Sequence, residues 1–99
     1  MSRFEVYRHP EGAGYLLDVQ ADLLGNLNTR VVVPLMPRDA APLPAKGLNP
    51  VFRIEGESVV MVTQFLAAVP ASMLKKPILP LDVERDAIVS ALDMLFQGF

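Results

Sequence analysis

The residue types that most often carry catalysis are few and scattered in this chain. His9 is the only histidine, and it lies beside Pro10 in a polar, glycine-containing stretch. A zinc site needs several ligands, and the sequence has no cysteine and no second histidine to supply them. A serine nucleophile would need the same histidine, and no serine stands in a nucleophile-elbow sequence. We therefore expect His9 to be a solvated loop residue, and we predict no metal and no cofactor.

The acidic residues and glycines likewise predict no reaction centre. Glu84 and Asp86 lie two positions apart on a predicted helix, so their side chains do not face each other. Gly12-Ala13-Gly14 precedes a strand pattern rather than a helix, unlike a dinucleotide-binding loop. The net charge of -2 gives no electrostatic reason to bind nucleic acid. We therefore predict no catalytic residues and a protein that is not an enzyme.

The composition predicts one small domain that associates with a second copy of itself or with another partner. The 99 residues suit a single domain, which we assign to residues 1–99. Apolar residues make up 52% of the chain and charged residues only 20%, which is more apolar surface than one small core hides. Met1 to Glu5 run straight into a strand pattern with no apolar targeting segment, so we expect a cytoplasmic protein without a membrane partner.

The elements that position these residues are mostly short strands. We predict strands over Phe4–Tyr7, Tyr15–Gln20, Arg30–Leu35, Val51–Ile54 and Glu57–Val62, with Glu55-Gly56 as a tight hairpin turn between the last two. Pro34 lacks an N–H, so we expect its strand to end there or to lie at an edge. The proline-rich stretch from Met36 to Pro50 predicts an irregular excursion.

One amphipathic helix is predicted at the end of the chain. Asp82 is its expected N-cap and Gly98 its expected stop. Five apolar residues fall on one helical face: Ile88, Ala91, Leu92, Leu95 and Phe96. Before it, Pro70–Leu74 predicts a single helical turn. The fold class is therefore mainly β with one C-terminal α-helix, in a small barrel or a strongly bent sheet.

The order of these segments resembles the CcdB family, the toxins of the ccd toxin–antitoxin pairs. The matching segments run through the whole chain: Arg3–Tyr7, Leu17–Leu24, Arg30–Leu35, Asn49–Val51, Gly56–Ser58, Ala68–Pro70 and Leu92–Phe99. The Asp-Val-Gln-x-Asp segment and the x-Phe-x-Gly-x terminus are the most specific of them, and the proline-rich middle matches least.

The resemblance implies a fold and a set of partners. It implies a small Src-homology-3-like barrel with a side wing of strands and a long C-terminal helix, which pairs as a homodimer. It implies binding to the A subunit of DNA gyrase, poisoning of the cleaved DNA complex, and neutralisation by a partly disordered CcdA-like antitoxin. Operator DNA is then expected only as a partner of the toxin–antitoxin complex, which represses its own operon.

The resemblance also implies which residues meet gyrase. Gln97, Gly98 and Phe99 match a family Trp-Gly-Ile motif at the end of the helix, Leu23 and Leu24 belong to the same partner-facing surface, and Asp93 stands where the family has asparagine. A tryptophan there offers its π face to an arginine, a contact worth ~0.5–2 kcal/mol. Gln97 can only form hydrogen bonds, and Phe99 would have to supply the aromatic surface.

Two other functions remain open from the sequence. The same barrel serves MazF-like endoribonucleases, for which Arg30 and Arg53 are the candidate phosphate-holding cations. Alternatively, the chain is a family member that dimerises and binds an antitoxin but no longer poisons gyrase, as Gln97 suggests.

Overall fold

Seven short strands, all paired antiparallel, curl into a half-barrel that packs against one C-terminal helix. The computed structural model describes residues 2–98 of the chain. The strands are β1 Glu5–Arg8, β2 Tyr15–Asp18, β3 Thr29–Pro37, β4 Val51–Ile54, β5 Glu57–Met61, β6 Ala67–Pro70 and β7 Pro77–Pro80, and the helix is α1 Arg85–Gln97. The mainly β fold with one C-terminal helix confirms the predicted class.

Strand β3 organises the sheet because it has neighbours along both edges. The sheet order is β4-β5-β3-β2-β1-β7, and β6 pairs with β3 beside β5. The first half of β3 pairs with β6 from Thr29 to Val32, and its last residues pair with β5 from Leu35 to Pro37. The sheet therefore divides at the middle of β3, and the hairpin β4–β5 forms the side wing.

The same division explains why Pro34 does not end its strand, which corrects the prediction. The Pro34 carbonyl accepts a hydrogen bond from Val62 N at 3.0 Å. The N–H and carbonyl of one strand residue point to the same edge, so the missing N–H of Pro34 also faces that side. That edge of β3 is vacant at Pro34, because β6 pairs only as far as Val32 and β5 pairs only from Leu35 onward. The missing N–H therefore costs no ladder hydrogen bond, and β3 continues to Pro37.

One further feature of the sheet was predicted from the sequence, and one strand was not. The hairpin turn at Glu55-Gly56 is confirmed: both residues have positive φ, 53° and 80°, as a type I′ turn requires. Strand β7 was not predicted, because Pro77 and Pro80 frame it. It pairs on one side only, with β1, and an edge strand tolerates proline.

Alternation along the strands builds a core on each face of the sheet. Val6, Leu17 and Val33 belong to the larger core, which also includes Ile88, Ala91 and Leu92 of the helix. Their immediate neighbours in β1, β2 and β3 belong to a smaller core on the other face, namely Tyr7, Leu16 and Val32 with Leu74. Strand β2 is consequently buried over its whole length.

The C-terminal helix begins later than predicted and ends where predicted. Asp82–Glu84 form a 3-10 turn, so α1 starts at Arg85 and Asp82 is not its N-cap. Gly98 adopts the left-handed conformation with φ 82°, and its N–H donates to the Met94 carbonyl at 3.0 Å. This is the expected glycine stop. Within residues 2–98, no helix is long and apolar enough to cross a membrane.

A buried ion pair lies where β2 and β3 separate. Asp18 and Arg30 are 0% and 1% exposed, and Arg30 Nη2 lies 2.6 Å from Asp18 Oδ2 while Nε donates to the same oxygen at 2.9 Å. The contact of Nη2 with Asp18 is thus an ion pair that does not have hydrogen-bond geometry, and Nη1 has no hydrogen-bond acceptor among the described residues. Burial raises the pKa of Asp18, although hydrogen bonds from Arg30 and from the Gln20 N–H oppose the rise. Each charge therefore depends on the other to remain buried.

Replacing Arg30 tests this dependence. We expect Arg30→Met to lower the free energy of unfolding by about 3–5 kcal/mol, because Asp18 would be left buried without a counter-charge. Adding Asp18→Asn removes that charge and keeps an acceptor for the Gln20 N–H, so the double variant should regain part of the loss. Urea denaturation of the purified proteins measures both values.

Arg38→Met is the matched control, because Arg38 is exposed just after β3. It should change the unfolding free energy by less than about 0.5 kcal/mol. A double variant no more stable than Arg30→Met alone would show that the ion pair is not the cause.

Candidate partner-binding surface

A groove of about 450 Å³ opens between the segment that follows β2 and the last turns of α1. Leu24, Leu27 and Leu66 contribute apolar surface to it, together with Phe96 from the helix. Arg3 and Asp93 add one charge of each sign. Leu24, Leu27 and Phe96 are 49%, 52% and 68% exposed, so large apolar side chains are left in water beside the helix. Such a concentration is typical of an interaction surface.

Gln20 fixes the segment that carries the leucines. Its side-chain Oε1 accepts the Val31 N–H at 3.0 Å, and its Nε2 donates to the Leu24 carbonyl at 2.9 Å. Asp22–Leu24 form a 3-10 turn immediately after β2, and no residue of that turn is buried. Since packing cannot hold an exposed turn, the Gln20 side chain is its main tie to β3.

Arg3 anchors the same turn from the N-terminal side. Its N–H donates to Asp22 Oδ1 at 2.8 Å, and its Nε donates to the Val19 carbonyl at 3.1 Å. The guanidinium also lies 4.7 Å from the centre of the Phe4 ring, while Arg85 lies 5.7 Å from the same ring. Phe4 has φ 72°, which is unusual for a bulky residue, and it is buried in the larger core. The N-terminal segment is therefore fixed tightly against the turn and the start of the helix.

The structure brings several of the predicted site residues together. Leu24 and Asp93 line the same groove, and Leu23 lies beside it with 94% of its surface exposed. Gln97 and Gly98 are exposed at the helix end but do not line the groove. Phe99, the last predicted contact residue, lies outside the described residues. We call Leu23, Leu24, Asp93, Phe96, Gln97 and Gly98 the helix-end patch.

Several residues that line the groove were not predicted as functional, among them Phe96 and Arg3. Phe96 was assigned to the buried helix face, but the buried stripe stops at Leu92 and Phe96 is exposed. Its spacing was informative, because Asp93, Phe96 and Gln97 are related by i, i+3 and i, i+4 and so share one side of the helix. Arg3 carried no such signal, since its role depends on contacts distant in sequence.

The cations of the endoribonuclease hypothesis are placed differently. Arg30 is buried and neutralised by Asp18, so it is not available to hold a phosphate. Arg53 is exposed on the wing hairpin, where its Nη2 donates to the Gly56 carbonyl at 2.8 Å. Within residues 2–98, no group of three or more histidine, cysteine, aspartate or glutamate side chains could hold a metal ion.

The curled antiparallel sheet with one C-terminal helix is consistent with the fold of the CcdB class of toxins. The model of one family, described as CcdB protein, matches residues 3–98 of the chain. The match covers nearly the whole sequence, so this chain belongs to the CcdB family. That membership makes it a toxin of the toxin–antitoxin type.

Removing the Gln20 side-chain bonds tests how the leucine turn is held. Gln20→Leu has a similar volume but removes the partner of the Val31 N–H and of the Leu24 carbonyl, which are only partly buried. We expect this to cost about 0.5–1.5 kcal/mol for each lost hydrogen bond. We expect the amides of Leu24 and Gly25, which bond within the turn, to exchange with solvent much faster. Hydrogen exchange followed by NMR measures each amide.

Gln64→Leu is the control, because Gln64 is an exposed glutamine whose contact is with Asn49. It should leave exchange at Leu24 and Gly25 unchanged. If Gln20→Leu also leaves it unchanged, then the turn does not depend on Gln20.

Proposed function

We propose that this toxin binds the A subunit of DNA gyrase through the helix-end patch and poisons the cleaved gyrase–DNA complex without catalysing a reaction itself. Membership of the CcdB family is the observation that carries the proposal. The exposed side chains at the end of α1 support it, because they lie where the family resemblance puts the gyrase contact. The toxin uses no cofactor, and it acts in the cytoplasm, where gyrase works on DNA.

Apolar burial provides most of the binding energy in this proposal. Leu23 is 94% exposed and Phe96 is 68% exposed, so both would bury most of their surface against a partner. Burial is worth roughly 25 cal/mol per Å² of apolar surface. Asp93 lines the groove beside them and favours a basic group on the partner. The toxin therefore offers gyrase an apolar contact with one negative charge next to it.

Gln97 makes the hydrogen-bonding part of this contact. It replaces the aromatic face of the family tryptophan with an amide that donates and accepts. The exposed Phe96, one residue earlier, supplies aromatic surface in its place, on which an arginine of gyrase would stack. This arrangement favours gyrase poisoning over the alternative of a family member that has lost it.

We also propose that residues 1–99 form one domain that works as a homodimer. Apolar residues make up 52% of the chain, so a second copy would cover apolar surface that is costly to leave in water. In this dimer the two helix ends lie side by side, so that one gyrase molecule meets both. Light scattering should give about twice the chain mass of 10.8 kDa, and a monomer at micromolar concentration would contradict the dimer.

A partly disordered CcdA-like antitoxin is the proposed neutralising partner. The toxin binds operator DNA only within the toxin–antitoxin complex, which represses its own operon. The net charge of -2 supports this restriction, since the toxin alone has no excess of positive charge for DNA. A gel shift of the upstream region by the toxin without its antitoxin would contradict it.

Two equally exposed leucines give a matched test of gyrase binding. Leu23 and Leu43 are both 94% exposed, but only Leu23 belongs to the helix-end patch. We expect Leu23→Glu to weaken binding to the gyrase A protein by roughly tenfold or more, as loss of an interface anchor does. Leu43→Glu should bind like the unmodified toxin. Calorimetry with the purified gyrase A protein and a supercoiling assay measure the two effects.

Equal losses for Leu23→Glu and Leu43→Glu would contradict the proposed surface. Gln97→Trp serves as a second variant in the same assays, and the added π face should strengthen binding by roughly two- to thirtyfold. If the unmodified toxin leaves supercoiling intact and only Gln97→Trp inhibits it, then the chain is the family member that no longer poisons gyrase.

A further inference from the structure

The last turns of α1 contact a loop that lies outside the sheet. The buried stripe of the helix stops at Leu92, and the exposed residues of the helix-end patch follow it. Among them Met94 is half-buried, and its terminal methyl group lies against Gly47 in the loop between β3 and β4. A Cβ atom added at Gly47 would lie 2.7 Å from Met94 Cε, so a side chain fits there only if the methionine moves.

A tight turn over residues Ala45–Asn49 brings Gly47 to the helix. The N–H groups of Leu48 and Asn49 both donate to the Ala45 carbonyl, at 3.2 and 2.9 Å. Gly47 lies in the middle of this turn with φ 82°, a conformation that few residues other than glycine, asparagine and aspartate adopt. The glycine therefore serves both the backbone of the turn and its close approach to the helix.

The buried side chain of Asn49 fixes this turn to the rest of the protein. Asn49 is 5% exposed, and its Oδ1 accepts the Ala45 N–H at 2.9 Å. Its Nδ2 donates to the Met61 carbonyl at 3.0 Å and to Gln64 Oε1 at 2.8 Å. Both hydrogens and the oxygen of the amide thus have partners, and a buried group that is satisfied in this way holds one orientation.

A second turn, Thr63–Phe65, connects the same network to the helix. It packs against α1 and leads into Leu66, which lines the groove. The hydroxyl of Thr63, which is fully buried, donates to the Leu48 carbonyl. One of the two turns precedes β4 and the other follows β5, so hydrogen bonds join them into one support beneath the end of α1.

We propose that Asn49 is a positioning residue for gyrase binding, a role that rests on the function proposed above. Asn49 does not touch the partner. It holds Gly47 against Met94 and so fixes the end of α1. The contacts of Gln20 hold the leucine turn on one side of the groove, and those of Asn49 hold the helical wall on the other. A surface that is fixed in advance loses less conformational freedom when it binds.

Two glycines with the same backbone conformation give a matched test. Gly47 and Gly56 have φ 82° and 80°, but a Cβ at Gly56 would meet open space. Asparagine tolerates this conformation, so both Gly47→Asn and Gly56→Asn should fold, and only the first pushes Met94 aside. We expect Gly47→Asn to weaken binding to the purified gyrase A protein by roughly threefold or more, through lost preorganisation. Gly56→Asn should bind like the unmodified toxin, and calorimetry measures both affinities.

Asn49→Leu tests the amide itself, because it keeps a similar volume and removes all three side-chain hydrogen bonds. We expect roughly fivefold weaker gyrase binding. The nuclear Overhauser effect between the Met94 methyl and the Gly47 α-protons, present in the free toxin, should disappear. Leu74→Val is the control, since it disturbs the smaller core on the other face of the sheet. It lowers stability but should change neither the affinity nor the Met94 signal.

The other outcomes decide against the proposal. If Asn49→Leu loses the Met94 signal and still binds gyrase normally, or if Gly47→Asn and Gly56→Asn bind alike, then the helix end needs no positioning. Weaker binding with the Met94 signal intact would mean that the loop meets gyrase directly, and equal weakening by Leu74→Val would mean that only stability matters. If the unmodified toxin itself does not bind the gyrase A protein, the function proposed above is wrong and this role is lost with it.

Discussion

The burial of one ion pair is the constraint on which the proposed binding surface of this toxin depends. Asp18 and Arg30 lie out of water at the point where β2 and β3 separate, and alternation puts them on the face of the sheet that carries the smaller core. A lone charge there would be strongly destabilising, so neither residue tolerates loss of the other. The pair joins the two strands at the end of their ladder, where regular hydrogen bonds between the strands give way to side-chain contacts.

Those side-chain contacts continue from the ion pair to the surface. The Gln20 N–H donates to Asp18, while its side chain bridges Val31 and the carbonyl of Leu24. Arg3 adds the contact to Asp22 from the N-terminus. The leucines of this turn are not buried in the core, and a series of polar contacts that begins in the interior fixes them at the surface. A toxin that binds through them has its binding surface fixed before the partner arrives, which lowers the entropic cost of association.

Local signals in the sequence were sufficient for the parts of the fold that depend on neighbouring residues. The Glu55-Gly56 turn, the stop at Gly98 and the helical stripe from Ile88 to Leu92 all follow from such signals. The continuation of β3 through Pro34 and the formation of β7 could not be predicted in this way. Both depend on which strand edge has no neighbour, and that is a property of the sheet as a whole. The residues of the proposed site likewise fall into those that the sequence indicated and those that depend on tertiary contacts. The family resemblance indicated Leu24 and Asp93, whereas Arg3 and the exposure of Phe96 depend on how the N-terminus, turn and helix meet.

The central claim is that a polar network holds the leucine turn beside the end of α1 and that gyrase binds there. Amide chemical shifts of the labelled toxin, recorded during titration with the purified gyrase A protein, test it most directly. The account predicts that the first changes fall on Leu23, Leu24, Asp93, Phe96, Gln97 and Gly98. Changes confined to the wing hairpin β4–β5, with the helix end unaffected, would contradict it.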